Sequence, residues 1–482
     1  MIDFVFWLII YAAIAYGIST LLAPKPEKPV TGQTKIQFPT ATECRPFPVL
    51  FGTRMIRGIN AISPLLYKYS HYEQTKDTAA NFYYASFHIG VVICLDGVKQ
   101  IWIGGTCAWP TQNPDYFAGD GIEMAVICAP FLWGDWAYGG PGGIDGTVDI
   151  LYGKSYQLLN YYLENKSGSN QPFYKNFVSM VFRGPTLFYN TMDIYGGMYI
   201  GTAPVIKQIE ILGKRTEQFN DRTEMWYKSK VNIGPYNDMN PAHIVYEMIT
   251  SNIIGRGTDK ELIGESFAIA ADKFYEEDLG LSCIWDWAPD EIGSMIEQIE
   301  RIVDGKIYFS LETEKYEFGL NRPVDPEGLE EFDESDFWIE SAGYISPCSI
   351  PNKVMVLWEH RIYEGKRMAY DDDIALVHRQ SGIINVEEYD YSSFVCDGNL
   401  AKKIASRNQY AFSSMPKRFT LRCLRTMSHL HETSVFKISY PSLNITSMMV
   451  RLVSIDRGSL TDDECIIECI EDVFGQAYTI YG

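Results

Sequence analysis

The sequence predicts a mainly β protein with an α+β portion set between its β-rich regions and an apolar helix at its N-terminus. Three observations carry this reading. Tyr, Phe and Trp make up 14% of the chain and accompany 39 glycines and many short alternating segments, the pattern of β domains with large aromatic cores. Between residues 240 and 320 the apolar spacing changes to that of helices. Residues 4–23 contain no charged side chain at all. At 482 residues the chain exceeds what one core can serve, and the usual domain size gives about three globular units.

The first element is the run FVFWLIIYAAIAYGISTLLA. As a helix with ~1.5 Å rise per residue it would measure ~30 Å, the thickness of a bilayer core. Pro24 stops it, and Lys25, Lys28 and Lys35 follow. Only Asp3 is charged before it, so it makes a poor secretory signal. Two readings stay open: a membrane anchor, or a helix packed against copies of itself inside an assembly. For the second, Phe4, Trp7, Ile10 and Ile14 form an apolar stripe, and Ala13 and Gly17, with Ala12 and Ala15, offer small surfaces for close helix approach. Under either reading something must cover the segment, because it cannot stay in water on a monomer.

Residues 24–42, rich in Pro, Lys and Thr, predict an extended linker. Residues 48–51 and 55–56 predict two short strands turning at Gly52, and 82–94 with 98–103 a β-hairpin through Asp96-Gly97. Residues 104–175 show few clear elements apart from a short helix around Leu158, Leu159, Tyr162 and Leu163. Strands resume at 177–182 and 205–212. Asn240-Pro241 then forms a helix start, an N-cap followed by proline at the first helical position. Ile244, Val245, Met248 and Ile249 give that helix its buried face, and Gly255 ends it. A second helix is expected over 266–279. A third follows from the spacing of Ile292, Met295, Ile296, Ile299 and Val303, with Gly305 as terminator. Residues 306–320 predict a hairpin. Beyond the acidic loop 327–336, strands are expected at 353–358, 418–424, 435–440, 449–455 and 464–470, with one helix at 398–410.

Composition narrows the function. The formal charge is −20 and the pI about 4.8. Basic residues occur as scattered pairs such as Lys402–Lys403 and Lys417–Arg418, which argues against nucleic-acid binding, since phosphates are held by clustered Lys and Arg. The ten cysteines include no CxxC pair. Cys465 and Cys469 share a strand face about 13 Å apart, beyond disulfide reach. All ten are read as reduced thiols, mostly buried, in a chain made in a cytoplasm. Asp371, Asp372 and Asp373, and the group Glu330, Glu331, Asp333 and Glu334, are the candidate Ca²⁺ or paired-carboxylate sites; solvated acidic loops are the plainer reading. His429 and His431, in His429-Leu430-His431-Glu432, could place two imidazoles on one strand face as metal ligands, with no third ligand evident; a surface or turn pair is the plainer reading. No GxSxG, HExxH, P-loop or GxGxxG sequence occurs. The expectation is therefore no enzyme, with no catalytic residue, no cofactor and no metal site.

Several phrases resemble a family of central tail hub proteins of siphophages and prophages. The apolar leader with its Pro/Lys linker is the first. Pro39-Thr40-Ala41-Thr42-Glu43 with Arg45-Pro46-Phe47-Pro48-Val49-Leu50-Phe51-Gly52-Thr53 is similar to that family's opening. Leu95-Asp96-Gly97-Val98 with Ile101-Trp102-Ile103 resembles its first hairpin, with Asp-Gly where Gly-Pro is usual. Phe182-Arg183-Gly184, Tyr199-Ile200-Gly201 and Ala203-Pro204 resemble its middle strands, and Asn240-Pro241-Ala242-His243-Ile244-Val245-Tyr246-Glu247 is the most specific match. Ala270-Ala271-Asp272, Gly280-Leu281-Ser282 and Glu471-Asp472-Val473-Phe474-Gly475 complete a series spanning nearly the whole chain.

The resemblance implies a homotrimeric virion protein at the tail tip or baseplate, similar to the hub of contractile phages. Two related β-barrel domains per subunit would adapt sixfold tube rings to a threefold tip and form part of the closed channel for genome ejection. The implied organisation is an apolar helix at 1–24 and a linker at 25–42. A first hub-type β-barrel follows at 43–204, with an irregular insertion at about 104–175. Residues 205–235 with 348–482 would form the second barrel, and 236–347 an inserted α+β lobe. Implied partners are a distal tail protein or tail-tube rings, the tape-measure protein, and a separate receptor-binding or fibre protein. DNA would pass without specific binding, past an acidic surface that repels it. Residues 4–23 would bundle in the lumen or contact a host membrane. The competing readings are a membrane-anchored envelope protein with an acidic soluble domain, and a virion-borne cell-wall hydrolase.

Overall fold

The computed structural model describes residues 48–473 apart from 75–78, 111–121, 155–156, 168–170, 185–196, 217–226, 287–290, 345–349 and 459–463. The predicted apolar helix and linker lie outside the described residues. What is described is mainly β, with an α+β portion in the middle.

The first β unit contains β1 (Pro48–Ile56), β2 (Asn60–Gln74), β3 (Ala79–Val92), β4 (Gly97–Ile103), β5 (Thr106–Trp109), β6 (Ile122–Ala129), β7 (Ile144–Leu151), α1 (Tyr161–Ser167), β8 (Val178–Arg183), β9 (Met198–Tyr199) and β10 (Ile209–Arg215). One sheet runs β1-β10-β4-β5; the other is six-stranded, β2-β3-β8-β7-β6, with β9 pairing β3 and β7. Side chains alternating inward from both sheets share one core, in which Phe87 stacks on Phe182 at 4.6 Å among Ile101, Val148 and Ile211. The outer face of the six-stranded sheet is roofed by α1 and its flanks, which bury Leu151, Leu163 and Val181 under Tyr162 and Tyr174. Tyr162 Oη donates to Ser86 Oγ at 2.8 Å, and Asp149 accepts from Asn160 and Arg183.

Three expectations fail here. The described part of 104–175 holds more than the short helix expected there, which is α1: it also supplies the strands β5, β6 and β7. The stretch 205–212 does not go to a second barrel, because β10 pairs with β1 on one side and β4 on the other. β3 and β4 are no hairpin, since they lie in different sheets. The reason is local: Asp96 N–H donates to Lys214 O at 2.9 Å and its carboxylate accepts from Thr216 N–H at 2.6 Å. Both bonds steer the chain onto the end of β10 instead of back along β3.

The lobe begins with β11 (Asn232–Ile233), β12 (Asp238–Met239), α2 (Pro241–Thr250), α3 (Ser266–Glu276), β13 (Cys283–Asp286), α4 (Ile292–Val303), β14 (Gly305–Ser310) and β15 (Lys315–Leu320). Asn240 caps α2 as predicted, its Oδ1 accepting from Ala242 N–H at 3.0 Å. The left-handed residue that ends α4 is Asp304, φ 55°, because Gly305 already pairs with Leu320 in the following hairpin. The chain then forms β16 (Glu331–Phe332) and β17 (Phe337–Tyr344) and returns to the lobe with β18 (Lys353–Glu359), β19 (Lys366–Asp372), α5 (Ile374–Arg379), β20 (Val386–Asp390) and α6 (Gly398–Ser413). Val354 and Val356 of β18 and Leu400 and Ile404 of α6 share a core with Ile244, Phe274 and Ile299. Residues 353–413 therefore belong to the lobe and not to the second β domain, where the sequence reading had put them. The second β unit consists of β16 and β17 with β21 (Lys417–Leu424), β22 (Val435–Tyr440), β23 (Ile445–Asp456) and β24 (Glu464–Glu471). Its sheet runs β16-β22-β23-β24-β21-β17 over Phe337, Leu421, Phe436, Leu452 and Ile467.

The predicted pair of strands turning at Gly52 is one continuous strand that changes partner there. Residues 48–51 pair with β13 of the lobe, and residues 52–56 with β10 of the first unit. Gly52 has φ +77°, and a Cβ on it would stand 2.2 Å from Ser282 Oγ and 2.6 Å from Leu281 O. Gly52→Ala should therefore lower stability by about 2 kcal/mol or more, read from the urea midpoint. Gly105→Ala, at the same φ with no atom within 4 Å, reports backbone strain alone and should cost less.

His88 supplies a pH prediction. It is fully buried on β3, edge-on to Tyr174 at 4.7 Å, and burial lowers its pKa from 6.5 to about 4. Below pH 6.5 the unfolded chain takes a proton that the folded chain refuses. Stability is thus full above 6.5 and falls as the pH drops toward 4, by up to ~3 kcal/mol. His88→Phe should flatten that part of the stability–pH curve.

Candidate functional site

The residues predicted for lumen or membrane contact, Phe4, Trp7, Ile10, Ala13, Ile14 and Gly17, lie outside the described residues. The acidic groups singled out in the sequence have structural partners. Asp373 caps α5 through the N–H groups of Ala375 and Leu376, at 2.9 and 3.1 Å. Burial works against the charge of Asp371, but hydrogen bonds from Ser406 and Lys402 hold its carboxyl below the usual range. Glu330 meets His429 at 2.9 Å, and Glu331 and Glu334 accept from Ser439 and Ser442. His431 stacks on Tyr308 at 4.5 Å, and burial, aided by Arg457, lowers its pKa. Glu432 stands 3.9 Å from Lys306. The acidic stretch 330–334 and the His429–Glu432 stretch thus tie loops of the second β unit to one another and to the β14–β15 hairpin. Among the described residues no three His, Cys, Asp or Glu side chains are grouped to hold one metal ion.

What the structure does present is apolar surface on strands and their coverings. Among the described residues β6 is the last strand of its sheet. Ala125 and Ile127 point into the core while Met124, Val126 and Cys128 line its exposed face. Leu158 and Tyr161, 74% and 77% exposed, project from the roof over the same sheet. In the second unit β17 is likewise outermost. Its Trp338 stands in register with Arg422 and, one strand further, Ile466; Trp338 and Ile466 are both exposed, and Tyr344 at the strand end is 68% exposed. Outermost strands with large apolar side chains are sites of association unless something covers them. Both β units thus carry surface suited to protein–protein contact, and this is the site the geometry supports.

Sequence reasoning missed these surfaces for a definite reason. In β6 apolar residues occupy both faces, so the alternation of polar and apolar residues that betrays a half-buried strand is absent. The buried arginines were missed too. Arg54 donates to Ser392 O at 2.9 Å and Ser393 O at 2.6 Å and pairs with Glu359. Arg361 holds Asp238 at 2.9 and 3.1 Å, and Arg215 pairs with Glu247. Arg322 grips Glu277 at 2.7 and 2.9 Å, and Arg451 joins Asp472 to Arg322 O at 2.8 Å. Their partners are far away in sequence, so no local pattern reveals them.

No family model and no curated protein matches the chain. Among solved structures, a chain from the virion of a native gene transfer agent particle shares the fold along its length. The TM-score is 0.54 at 9% identity, over 96% of this chain and 95% of that one. Looser overlaps occur with a tail protein from Neisseria meningitidis MC58 (TM-score 0.30, 10% identity, 57% of this chain and 78% of that one). A prophage tail protein from Listeria monocytogenes EGD-e overlaps similarly (TM-score 0.29, 10% identity, 79% and 90%). At these identities the likeness is one of fold.

Val126→Asp should leave the folded chain within ~0.5 kcal/mol of its original stability, as surface changes do. Any association of the chain through this face should weaken about tenfold with the same change, measured by sedimentation across a concentration series, and stay unchanged if the face is not used.

Proposed function

We propose that this chain is a structural virion protein of a phage-type tail, the homotrimeric hub at its distal end. The observation that carries the reading is the likeness over 96% of the chain to a gene transfer agent virion component of nearly the same extent. In this reading the two β units are the hub domains that adapt a sixfold tube to a threefold tip, and the lobe is peripheral. The exposed faces of β6 and β17 meet neighbouring subunits, tube rings or a distal tail protein. Residues 4–23 bundle in the lumen against the tape-measure protein. Three copies of a −20 chain give an acidic collar through which DNA slides without adhering. The role is non-enzymatic, and a separate fibre protein engages the receptor.

The membrane-anchor alternative rests on residues 4–23 alone and gives the remainder no reason to associate. In mild detergent, the full chain should sediment at three times 54.9 kDa. A monomer at micromolar concentration would overturn the hub reading and favour the anchor.

A further inference from the structure

We propose that Cys423 and Cys465 form an oxidation site, a dithiol that a peroxide converts into a cross-strand disulfide. The sequence alone paired Cys465 with Cys469, on one strand and out of reach. Strand register supplies a different partner: Cys423 of β21 stands directly opposite Cys465 of β24. Directly opposed residues of an antiparallel pair have Cα atoms ~4.5–5.5 Å apart, inside the range of ~4.4–6.8 Å that disulfides span. Both side chains enter the same core, so both sulfurs lie on one face of the sheet. The pair sits at strand ends, Cys465 second in β24 and Cys423 next to last in β21, where opening is least costly.

The two thiols are unlike in chemistry. The side-chain hydrogen bond between Cys423 and Cys465 lowers the Cys465 pKa against the effect of burial, and Arg425 and Arg457 lower it further. Burial pushes Cys469 and Cys283 up to about 12 and Cys396 to about 11, so those remain inert thiols. In the reaction the Cys465 thiolate attacks a peroxide oxygen, the O–O bond breaks, and a sulfenic acid forms. The Cys423 sulfur then attacks the Cys465 sulfur; the S–S bond forms, the S–O bond breaks and water leaves. One peroxide is reduced to two waters and two thiols are oxidised to one disulfide. If the hub reading holds, the chain is made reduced in a host and works outside it, where the link would staple β21 to β24.

The test is treatment of the purified full chain with hydrogen peroxide, then digestion and mass spectrometry without reductant. The peptides carrying Cys423 and Cys465 should appear as one species two hydrogens lighter than their sum, separated again by dithiothreitol. In Cys423→Ala the link should be lost and Cys465 trapped as a dimedone adduct. Recovery of both peptides as free thiols, under peroxide that fully oxidises the exposed Cys128, would overturn the proposal, and so would linkage of either to another cysteine. The hub reading fails separately, on molecular mass: a monomer that forms the link keeps this inference.

Discussion

Along β1 the side chains of Val49 and Phe51 enter the core of the lobe, while Leu50 and Ile56 enter the core of the first β unit. One strand is thus the wall between two cores, and its alternation of faces makes the two regions a single folding problem. The change of partner at Gly52 is what allows this, since the strand leaves one sheet and joins another without ending. Three arginines then fix the crossing. Arg215 reaches back to Leu50 O at 3.1 Å, Arg361 donates to Thr53 O at 3.2 Å, and Arg54 donates to the lobe backbone.

Such buried cations are costly to desolvate unless paired and hydrogen-bonded. Here Arg215 and Arg361 each hold one carboxylate, Glu247 and Asp238, and one β1 carbonyl on either side of Gly52, while Arg54 takes the carbonyls of Ser392 and Ser393. Guanidinium suits the task because its planar fork serves several acceptors at once. Loss of one partner would leave a charge stranded, at a cost of about 3–5 kcal/mol. The boundaries between regions are therefore specific in a way that apolar packing alone would not make them.

Helices and most C-terminal strands were legible because their signals are local. The Asn240 cap, the apolar spacing of α4 and the alternation of β24 each sit within a dozen residues. Connectivity was not legible, because each strand finds its partners far along the chain, Phe87 opposite Phe182 and Ile103 opposite Ile209. Residues 82–94 and 98–103 are strands as expected, yet they belong to different sheets. The glycine-rich 104–175 region hid three strands because apolar residues lie on both faces of β6, and because β7 carries Thr147 and Asp149 as buried polar residues. Of the candidate site, the need for cover was readable in residues 4–23, whereas the exposed faces of β6 and β17 needed the register.

The path of the chain between the lobe and the second β unit has a mechanical consequence. Backbone crosses that boundary three times: after β15, between β17 and β18, and between α6 and β21. Arg451 clasps the same boundary, through Arg322 O and Leu320 O. A joint threaded once can swivel; one threaded three times behaves as a welded bracket. The lobe and the second β unit should therefore move as one piece.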